Sequence, residues 1–292
     1  MRLVSTMIIK NNEKPSVESL KAFVAEVRNF KPKVAIMGKS GAGKSSLVNA
    51  LFGESVSTVS DIGTGTKEVN YFDYEGITLI DFPGLADLNK ENEAQFLKMY
   101  EEELSDVDLA LWIIPANDRA NAPDIAIYEQ LLKPERERMP TMVILSKQDN
   151  MGTPHKKFWD DDDFRPTDKL VQAILEKENL LSNEFDLSTR YISSVATEYD
   201  DDTKAYRSFN LDGLVNKIVS VLPNEKKYAI TREVDDKNVT SETRIAAEQG
   251  LWESMKSFMG DAFDSAKDVA SDIIIASLPS ALSWVTKKFK FW

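Results

Sequence analysis

The segment from Val34 to Ser45 constrains the fold of this chain more than any other part of the sequence. Four apolar residues, Val34 to Met37, are followed directly by Gly-Lys-Ser-Gly-Ala-Gly-Lys-Ser at positions 38–45. The apolar run predicts a buried strand. The glycines predict a loop whose backbone N–H groups surround phosphate oxygens at the N-terminus of a helix. We therefore expect a strand, a phosphate-binding loop (P-loop) and a helix that begins near Ser45.

Side chains in this loop suit phosphate and metal chemistry. Lys44 can reach the β- and γ-phosphates of a nucleotide, and the Ser45 hydroxyl can complete the coordination shell of Mg²⁺. The other loop residues expected to contact the nucleotide are Gly38, Ser40, Gly41, Ala42, Gly43 and Ser46. An ordinary glycine turn is the alternative, and the strand and helix predicted on either side argue against it.

Strand-like and helix-like segments alternate along most of the chain. Further strands are expected at 68–74, 77–81, 107–114, 141–146 and 191–194, and helices at 16–30, 45–52, 91–104, 124–132, 168–181 and 211–221. This alternation predicts an α/β fold of the P-loop NTPase type, with a mostly parallel six-stranded sheet and helices on both faces. Segments 68–74 and 77–81, joined by Glu75-Gly76, are the exception and predict an antiparallel pair.

Three parts are expected along the chain: an N-terminal helical segment at 1–31, a nucleotide-binding domain at 32–223 and a C-terminal helical extension at 224–292. The extension has an apolar stripe at helical spacing, formed by Trp252, Met255, Met259, Phe263, Ala266, Val269, Ile273 and Ile274. We expect this stripe to pack chiefly on the protein's own helices, including 16–30. Reversible membrane contact and an interface with another protein or a second copy are the alternatives.

Two further segments can complete the phosphate end of the site. Asp81-Phe82-Pro83-Gly84 ends a predicted strand, where Asp81 can hold Mg²⁺ through water and the Gly84 N–H can contact a γ-phosphate. Thr66 lies in a polar loop, where its hydroxyl can bind Mg²⁺ while its N–H contacts the γ-phosphate. For Thr66 taken alone, a flexible surface loop is the alternative. The predicted metal ligands are therefore Ser45, Thr66 and Asp81.

The end of another predicted strand can recognise a nucleotide base. In Ser146-Lys147-Gln148-Asp149, the Asp149 carboxylate can accept hydrogen bonds from the N1–H and the exocyclic amine of guanine, a donor pair that adenine lacks. The Lys147 stem would lie along the base plane. Backbone N–H groups at Ser194 and Val195 could reach the guanine oxygen. These residues favour guanine, and an ATPase is the weaker alternative.

Taken in order, these segments are similar to the motif set of a known family. Residues 38–45, Thr66, 81–84, 146–149 and 193–196 resemble the five motifs of Era/TrmE-like P-loop GTPases of the translation-factor-related class. The resemblance covers about residues 33–223 and looks closest to bacterial Era-like GTPases of the ribosome-binding type. Immunity-related and dynamin-like GTPases are more distantly similar.

The resemblance implies a G domain that binds GTP or GDP and hydrolyses GTP to GDP and phosphate with Mg²⁺. It implies catalytic roles for Lys44, Thr66 and Gly84, with Thr66 in the first switch loop and Asp81 and Gly84 in the second. It also implies that Asp149 selects guanine. The expected function is therefore a cytoplasmic molecular switch.

Three departures from the family pattern bear on activity. Ser146 stands where an asparagine of the family ties residues 146–149, the base segment, to the P-loop. This replacement predicts weaker base affinity, with selectivity for guanine kept. Leu85 stands where Ras-like enzymes carry a glutamine that orients water, which predicts slow intrinsic hydrolysis. Gly41 stands where potassium-activated relatives have asparagine, which disfavours potassium stimulation. Arg119 is an alternative charge stabiliser, although a solvated loop arginine is the simpler interpretation.

Composition argues against several other chemistries. The chain has no cysteine and a single histidine, His155, so disulfides, thiolate metal sites and histidine-based triads are disfavoured. A formal net charge of −12 disfavours general nucleic-acid binding. The acidic runs 160–163 and 200–202 are expected to be solvated loop charge rather than metal sites. No apolar run approaches the roughly 20 residues that a membrane span needs.

GTP is the expected ligand, and other partners stay open. They are a second copy of the chain in a homodimer, an activating protein, and a ribosome or membrane contacted through the C-terminal helices. One alternative function is a membrane-associated or self-assembling GTPase of dynamin-like or immunity-related type. The other is a nucleotide-binding module with negligible hydrolysis.

Overall fold

The computed structural model describes residues 16–53, 69–74, 76–83, 93–118, 122–153 and 156–277. Its strands are β1 (Lys33–Gly38), β2 (Asn70–Asp73), β3 (Thr78–Asp81), β4 (Leu109–Pro115), β5 (Thr141–Ser146), β6 (Gly152–Thr153), β7 (Lys156–Lys157), β8 (Trp159–Asp160), β9 (Arg165–Pro166), β10 (Ile192–Ser194), β11 (Ala196–Asp200) and β12 (Ala205–Phe209). A six-stranded sheet has the order β10-β5-β4-β1-β3-β2. Its neighbours are parallel except for the antiparallel pair β2 and β3. The predicted α/β fold and its antiparallel exception are confirmed.

Helices cover both faces of this sheet, and further helices pack beside them. They are α1 (Val17–Asn29), α2 (Lys44–Phe52), α3 (Glu93–Leu104), α4 (Ala122–Ile127), α5 (Asp168–Glu184), α6 (Leu211–Val221), α7 (Asn224–Glu233), α8 (Ser241–Met259) and α9 (Phe263–Ser277). The sequence predicts one helix over 124–132, but a π-helix, Tyr128–Leu132, continues α4 instead. Single 3₁₀ turns occur at Lys133–Glu135, Gln148–Asn150, Thr189–Tyr191, Asp236–Asn238 and Gly260–Ala262.

The parallel strands are apolar at almost every position because both faces are buried. In β1, Val34 and Ile36 pack in a cluster with residues of α2, α6 and α7, whereas Ala35 and Met37 pack with residues of α3, the π-helix and α5. Side chains alternate between faces along a strand, and a parallel sheet between two helical layers must be apolar on both. Five strands run parallel, so their carboxyl ends lie at one edge of the sheet: β1, β3, β4, β5 and β10.

The N-terminal helix and the C-terminal helices form a third packed layer. The Ser16 hydroxyl accepts a hydrogen bond from the Ser19 N–H at 3.2 Å and so caps α1. Phe23 stacks on Phe258 with ring centroids 4.4 Å apart. The same cluster contains Leu20, Val24, Val27, Leu251, Trp252, Met255, Met259, Phe263 and Ala270. Trp252, Met255, Met259 and Phe263 of the apolar stripe thus pack on the protein's own helices, as expected. No helix in the described ranges has the length and apolar character to cross a membrane.

The C-terminal extension also contacts the helix that follows the P-loop. Asn238 is buried, and its Nδ2 donates to the Ala50 carbonyl at 2.7 Å. The Asp235 N–H donates to the Leu51 carbonyl at 2.9 Å. Carbonyls in the last turn of a helix have no partner within the helix. Segment 235–238 therefore caps the C-terminus of α2.

Two hairpin regions that the sequence does not predict follow the carboxyl ends of β5 and β10. One contains β6 to β9 and the other contains β11 and β12. They pack on each other through Trp159, whose ring lies 5.3 Å from that of Phe164 and 5.6 Å from that of Phe209. Asp160 and Asp200 accept backbone hydrogen bonds in the hairpin turns. Within the described ranges no cluster of acidic or histidine side chains forms a metal site.

Candidate nucleotide-binding site

The P-loop joins the carboxyl end of β1 to the N-terminus of α2. A Cβ on Gly38 would collide with the Ile113 carbonyl of β4, so glycine is required where these strands lie side by side. Gly43 precedes α2 with a φ of 90°, in the left-handed region. The loop and the first turn of α2 contain the predicted phosphate-site residues Gly38, Ser40, Gly41, Ala42, Gly43, Lys44, Ser45 and Ser46. Backbone N–H groups and the helix dipole make this position suitable for an anion.

Lys44 lies inside the curve of the loop. Its side chain is buried, and its Nζ donates to the Gly38 carbonyl at 3.0 Å and to the Lys39 carbonyl at 3.4 Å. A buried ammonium is costly unless its N–H groups are used, and these carbonyls meet that need. The positive charge is thereby held where phosphate oxygens would approach the loop.

Oxygen atoms suited to a metal lie at the same edge of the sheet. Ser45 is in the first turn of α2, and the fully buried Asp81 ends β3. The β1–β3 register places Asp81 opposite Ile36, two residues before the loop begins. Hydroxyl and carboxylate oxygens are the ligands that Mg²⁺ prefers, so both residues fit the predicted metal role. The other residues predicted here, which lie outside the described residues, are Thr66, Gly84, Leu85 and Arg119.

The chain after Asp81 is fixed by a tyrosine. Burial raises the pKa of Tyr100, and the negative charge of Asp81 raises it further. The hydroxyl therefore stays protonated and donates to the Pro83 carbonyl at 2.5 Å. This bond holds residues 81–83, where the second switch segment is predicted to begin, against α3.

Ser146 joins the base segment to the P-loop. Its buried hydroxyl donates to the Ala42 carbonyl at 2.6 Å. In the family pattern an asparagine makes this tie, and in the structure the shorter serine side chain makes it directly. The weaker base affinity expected from this replacement stays a prediction. Lys147 follows with a φ of 58°. A Cβ on Gly43 would lie 3.6 Å from Lys147 Cε, so the lysine stem passes over the P-loop.

Asp149 provides a buried hydrogen-bond acceptor at the base end. Its Oδ1 is buried and accepts no hydrogen bond from the described residues. Burial raises the pKa of Asp149, and the charges of Glu198 and Asp161 add to this effect. A desolvated carboxylate oxygen without a donor is unfavourable, and a ligand N–H would remove that cost. The guanine N1–H is a donor of this kind.

The structure narrows the prediction for Ser194 and Val195. The Val195 N–H donates to the Leu145 carbonyl at 2.8 Å and is therefore engaged in the sheet. Successive N–H groups of an edge strand point alternately toward and away from the neighbouring strand. The Ser194 N–H therefore points away from β5, and contact of either N–H group with a base stays a prediction. Asn210 Nδ2 donates to the Ser194 carbonyl at 2.8 Å and fixes this segment.

Comparison with known proteins agrees with this geometry. Residues 33–147, from the start of β1 to the lysine of the base segment, match the model of the family described as 50S ribosome-binding GTPase. Residues 33–147 of this chain are therefore similar to the GTPase domain of that family. The matched range contains the P-loop, Asp81 and Ser146, and it ends two residues before Asp149.

Curated relatives match this chain over different lengths. Uncharacterized protein YkfA of Escherichia coli (strain K12) is 37% identical over 136 residues, which are 45% of this chain and 47% of that protein. The chain thus spans about half of that relative. GTPase Era of Caldicellulosiruptor saccharolyticus is 27% identical over 217 residues, which are 72% of this chain and 62% of that protein.

A solved structure of Era in complex with MgGDPNP and nucleotides 1506–1542 of 16S ribosomal RNA is 20% identical to this chain. The match covers 69% of this chain and 65% of that one, with a TM-score of 0.41. The similarity to GTPases is carried by the match of residues 33–147 to the family model.

The candidate site also contains a charged group that the motifs do not assign. Lys39, the second residue of the P-loop, forms ion pairs with Asp118 and Asp124. Lys177 of α5 donates to the Asp118 carbonyl at 2.9 Å. Lys39 and Asp118 are separated by 79 residues. The only sequence signal for this pairing is that each follows a predicted strand of the same sheet.

Proposed function

We propose that this chain binds GTP with Mg²⁺ and hydrolyses it slowly to GDP and phosphate, acting as a molecular switch. One observation carries the proposal. The buried ammonium of Lys44 and the buried acceptor oxygen of Asp149 lie in two segments that Ser146 joins through its 2.6 Å hydrogen bond to Ala42. A charge suited to phosphates and an acceptor suited to guanine thus belong to segments joined at one edge of the sheet, which supports the proposal.

Each residue has a defined part in this reaction. Lys44 and the N–H groups of the P-loop bind the phosphates and stabilise the charge that develops as the bond between the β–γ bridging oxygen and the γ-phosphorus breaks. Ser45 and Asp81 would hold Mg²⁺, which when bound neutralises phosphate charge. Asp149 orients the base. Thr66 and Gly84 are proposed to contact the γ-phosphate.

Water attacks the γ-phosphorus in this reaction and needs a group that orients it. Leu85 has only an aliphatic side chain and can neither accept nor donate a hydrogen bond. We therefore expect slow turnover by the isolated chain. An activating protein or a second copy of the chain is the proposed source of the missing group, and a ribosome contact remains a proposal drawn from the family description.

Phosphate release from GTP and from ATP, with Mg²⁺ and with EDTA, tests this function. Lys44→Ala removes the buried charge and should weaken GTP binding about a hundredfold. Lys98→Ala is the matched control, because Lys98 is exposed on α3 and pairs only loosely with Glu102 at 3.8 Å. Normal GTP turnover by Lys44→Ala, or equal turnover of ATP by the wild type, would contradict the proposal.

A further inference from the structure

The side chain of Lys39, in the P-loop, is paired with two carboxylates. Its Nζ lies 2.8 Å from Asp118 Oδ2 and 2.9 Å from Asp124 Oδ2. Burial opposes the charged form, but the hydrogen bonds to both carboxylates outweigh it and raise the pKa of Lys39. The Asp124 side chain is itself buried and accepts from the Trp112 indole N–H at 3.3 Å. The Lys39 ammonium is therefore a fixed, charged anchor.

Residues 116–118, which include the Lys39 partner Asp118, make hydrogen bonds with two other parts of the structure. Lys177 Nζ donates to the Asp118 carbonyl at 2.9 Å and also to the Ala116 carbonyl. The Ala116 N–H donates to the Ser146 carbonyl at 2.8 Å. Residues 116–118 thus contact the P-loop, α5 and the base segment. We call residues 39, 116–118, 124 and 177 the hub.

A nucleotide has to satisfy two segments at once. The phosphates meet the P-loop, and the base meets the segment around Asp149. Binding at both ends is strong only when the separation of the two protein segments matches the ligand without further ordering. The direct tie between Ser146 and Ala42 constrains one point of this separation. The hub joins the same two segments by a second route, through Lys39 on one side and the Ser146 carbonyl on the other.

We infer that the hub sets the separation between the P-loop and the base segment, and that Lys39 is a positioning residue for nucleotide binding rather than a phosphate ligand. This inference rests on the proposed function. The ion pairs with Asp118 and Asp124 support it, because turning Lys39 toward a phosphate would leave the buried Asp124 carboxylate without its cation. A substituted hub should harm ligands that span both segments and spare ligands that occupy only one.

Calorimetric titration of the full chain with GDP and with inorganic pyrophosphate, both in Mg²⁺, tests the inference. GDP reaches both segments, whereas pyrophosphate occupies only the P-loop. In Lys39→Met and Lys177→Met, the dissociation constant for GDP should rise about tenfold while that for pyrophosphate stays within about twofold. Lys98→Met is the exposed control. An equal loss for both ligands would make Lys39 a phosphate ligand and overturn the inference, as would unchanged GDP affinity.

A second pair of variants keeps the test decisive if Lys39→Met unfolds. Asp118→Asn retains the side-chain shape and removes one charge, and Lys39→Arg retains the charge and should keep GDP affinity close to wild type. The split between GDP and pyrophosphate should appear in Asp118→Asn at an unchanged melting temperature. Loss of GDP binding with no such split there overturns the inference. A wild-type chain that binds neither ligand would refute the proposed function instead.

Discussion

Strand β5 has a buried hydroxyl at each end, and the two are in different situations. At the carboxyl end, Ser146 Oγ donates to the P-loop carbonyl of Ala42 at 2.6 Å. At the amino end, Thr141 Oγ1 is equally buried but makes no hydrogen bond to the described residues. The two ends of β5 thus differ. The carboxyl end makes a hydrogen bond to the P-loop, whereas the amino end has a buried hydroxyl without a partner among the described residues.

The same contrast extends to the neighbouring residues. At the carboxyl edge, Asp149 Oδ1 accepts no hydrogen bond from the described residues, and the proposed guanine base would supply a donor for it. At the amino edge, Thr141 and the buried Tyr128 line a cavity of about 460 Å³, and the hydroxyls of both lack partners within the described residues. Nucleotide chemistry does not account for these two. A buried polar group without a hydrogen-bond partner therefore indicates function only where the neighbouring residues form a site for a ligand that could bond to it.

The largest expected effect is at Asp149. Asp149→Asn replaces an acceptor by an amide that also donates, so GTP affinity should fall about a hundredfold or more while xanthosine triphosphate gains. Competition binding with the two triphosphates measures this change. Pyrophosphate affinity is the internal control and should not move. An unchanged preference for guanine would show that Asp149 does not recognise the base. The two edges of the sheet would then no longer differ in this respect.

A pH series sharpens the same point with a smaller effect. Burial raises the pKa of Asp149 above its ordinary value, and guanine binds the ionised form. GDP affinity should therefore be full above the raised pKa and fall as pH drops through it, by at most about tenfold per pH unit for one proton. The ratio of GDP to pyrophosphate affinity cancels the titration of the phosphates. A ratio that is flat with pH in the wild type, or a slope that persists in Asp149→Asn, would be the contrary result.

The raised pKa of Asp149 also makes the free energy of unfolding depend on pH. The folded state binds the Asp149 proton more tightly than the unfolded state, because burial disfavours the carboxylate. This residue therefore costs stability above its unfolded pKa, and that cost is relieved as pH falls through the raised folded pKa. Bound guanine should remove the cost at neutral pH, since it supplies the missing donor.

The smallest effects compare the two ends of β5 directly. Ser146→Ala leaves the buried Ala42 carbonyl without its donor and should lower the free energy of unfolding by about 1–3 kcal/mol. Thr141→Val removes a hydroxyl that has no partner, so unfolding free energy should stay the same or rise by up to about 1 kcal/mol. Urea unfolding of both variants measures the difference. Equal destabilisation by the two would show that Thr141 is satisfied after all.

The parts of this molecule that sequence predicts are those with local signals. Strand β5 and helix α6 are predicted to their terminal residues, because an apolar run or a helical period is complete within each segment. The P-loop and Asp149 are also predictable, since their chemistry requires fixed residue types at fixed spacing. These signals depend on neighbours in the sequence.

The remainder depends on neighbours in space. The pairing of Lys39 with Asp118 joins residues 79 positions apart, and no periodicity encodes it. Strands β6 to β9 have two residues each, which is too short for a period to be detected. The engagement of the Val195 N–H follows from the register of β10 on β5, and that register is set by packing of the whole sheet.

Asn238 and Asp235 have a practical consequence for experiments on the C-terminal extension. They close the last turn of α2, the helix whose first turn carries Lys44 and Ser45. A chain truncated after Pro223 would therefore lose more than a docking surface, because the nucleotide helix would fray from its far end. Weaker nucleotide binding by such a fragment would report damage to α2, and it would not by itself demonstrate communication between the extension and the nucleotide.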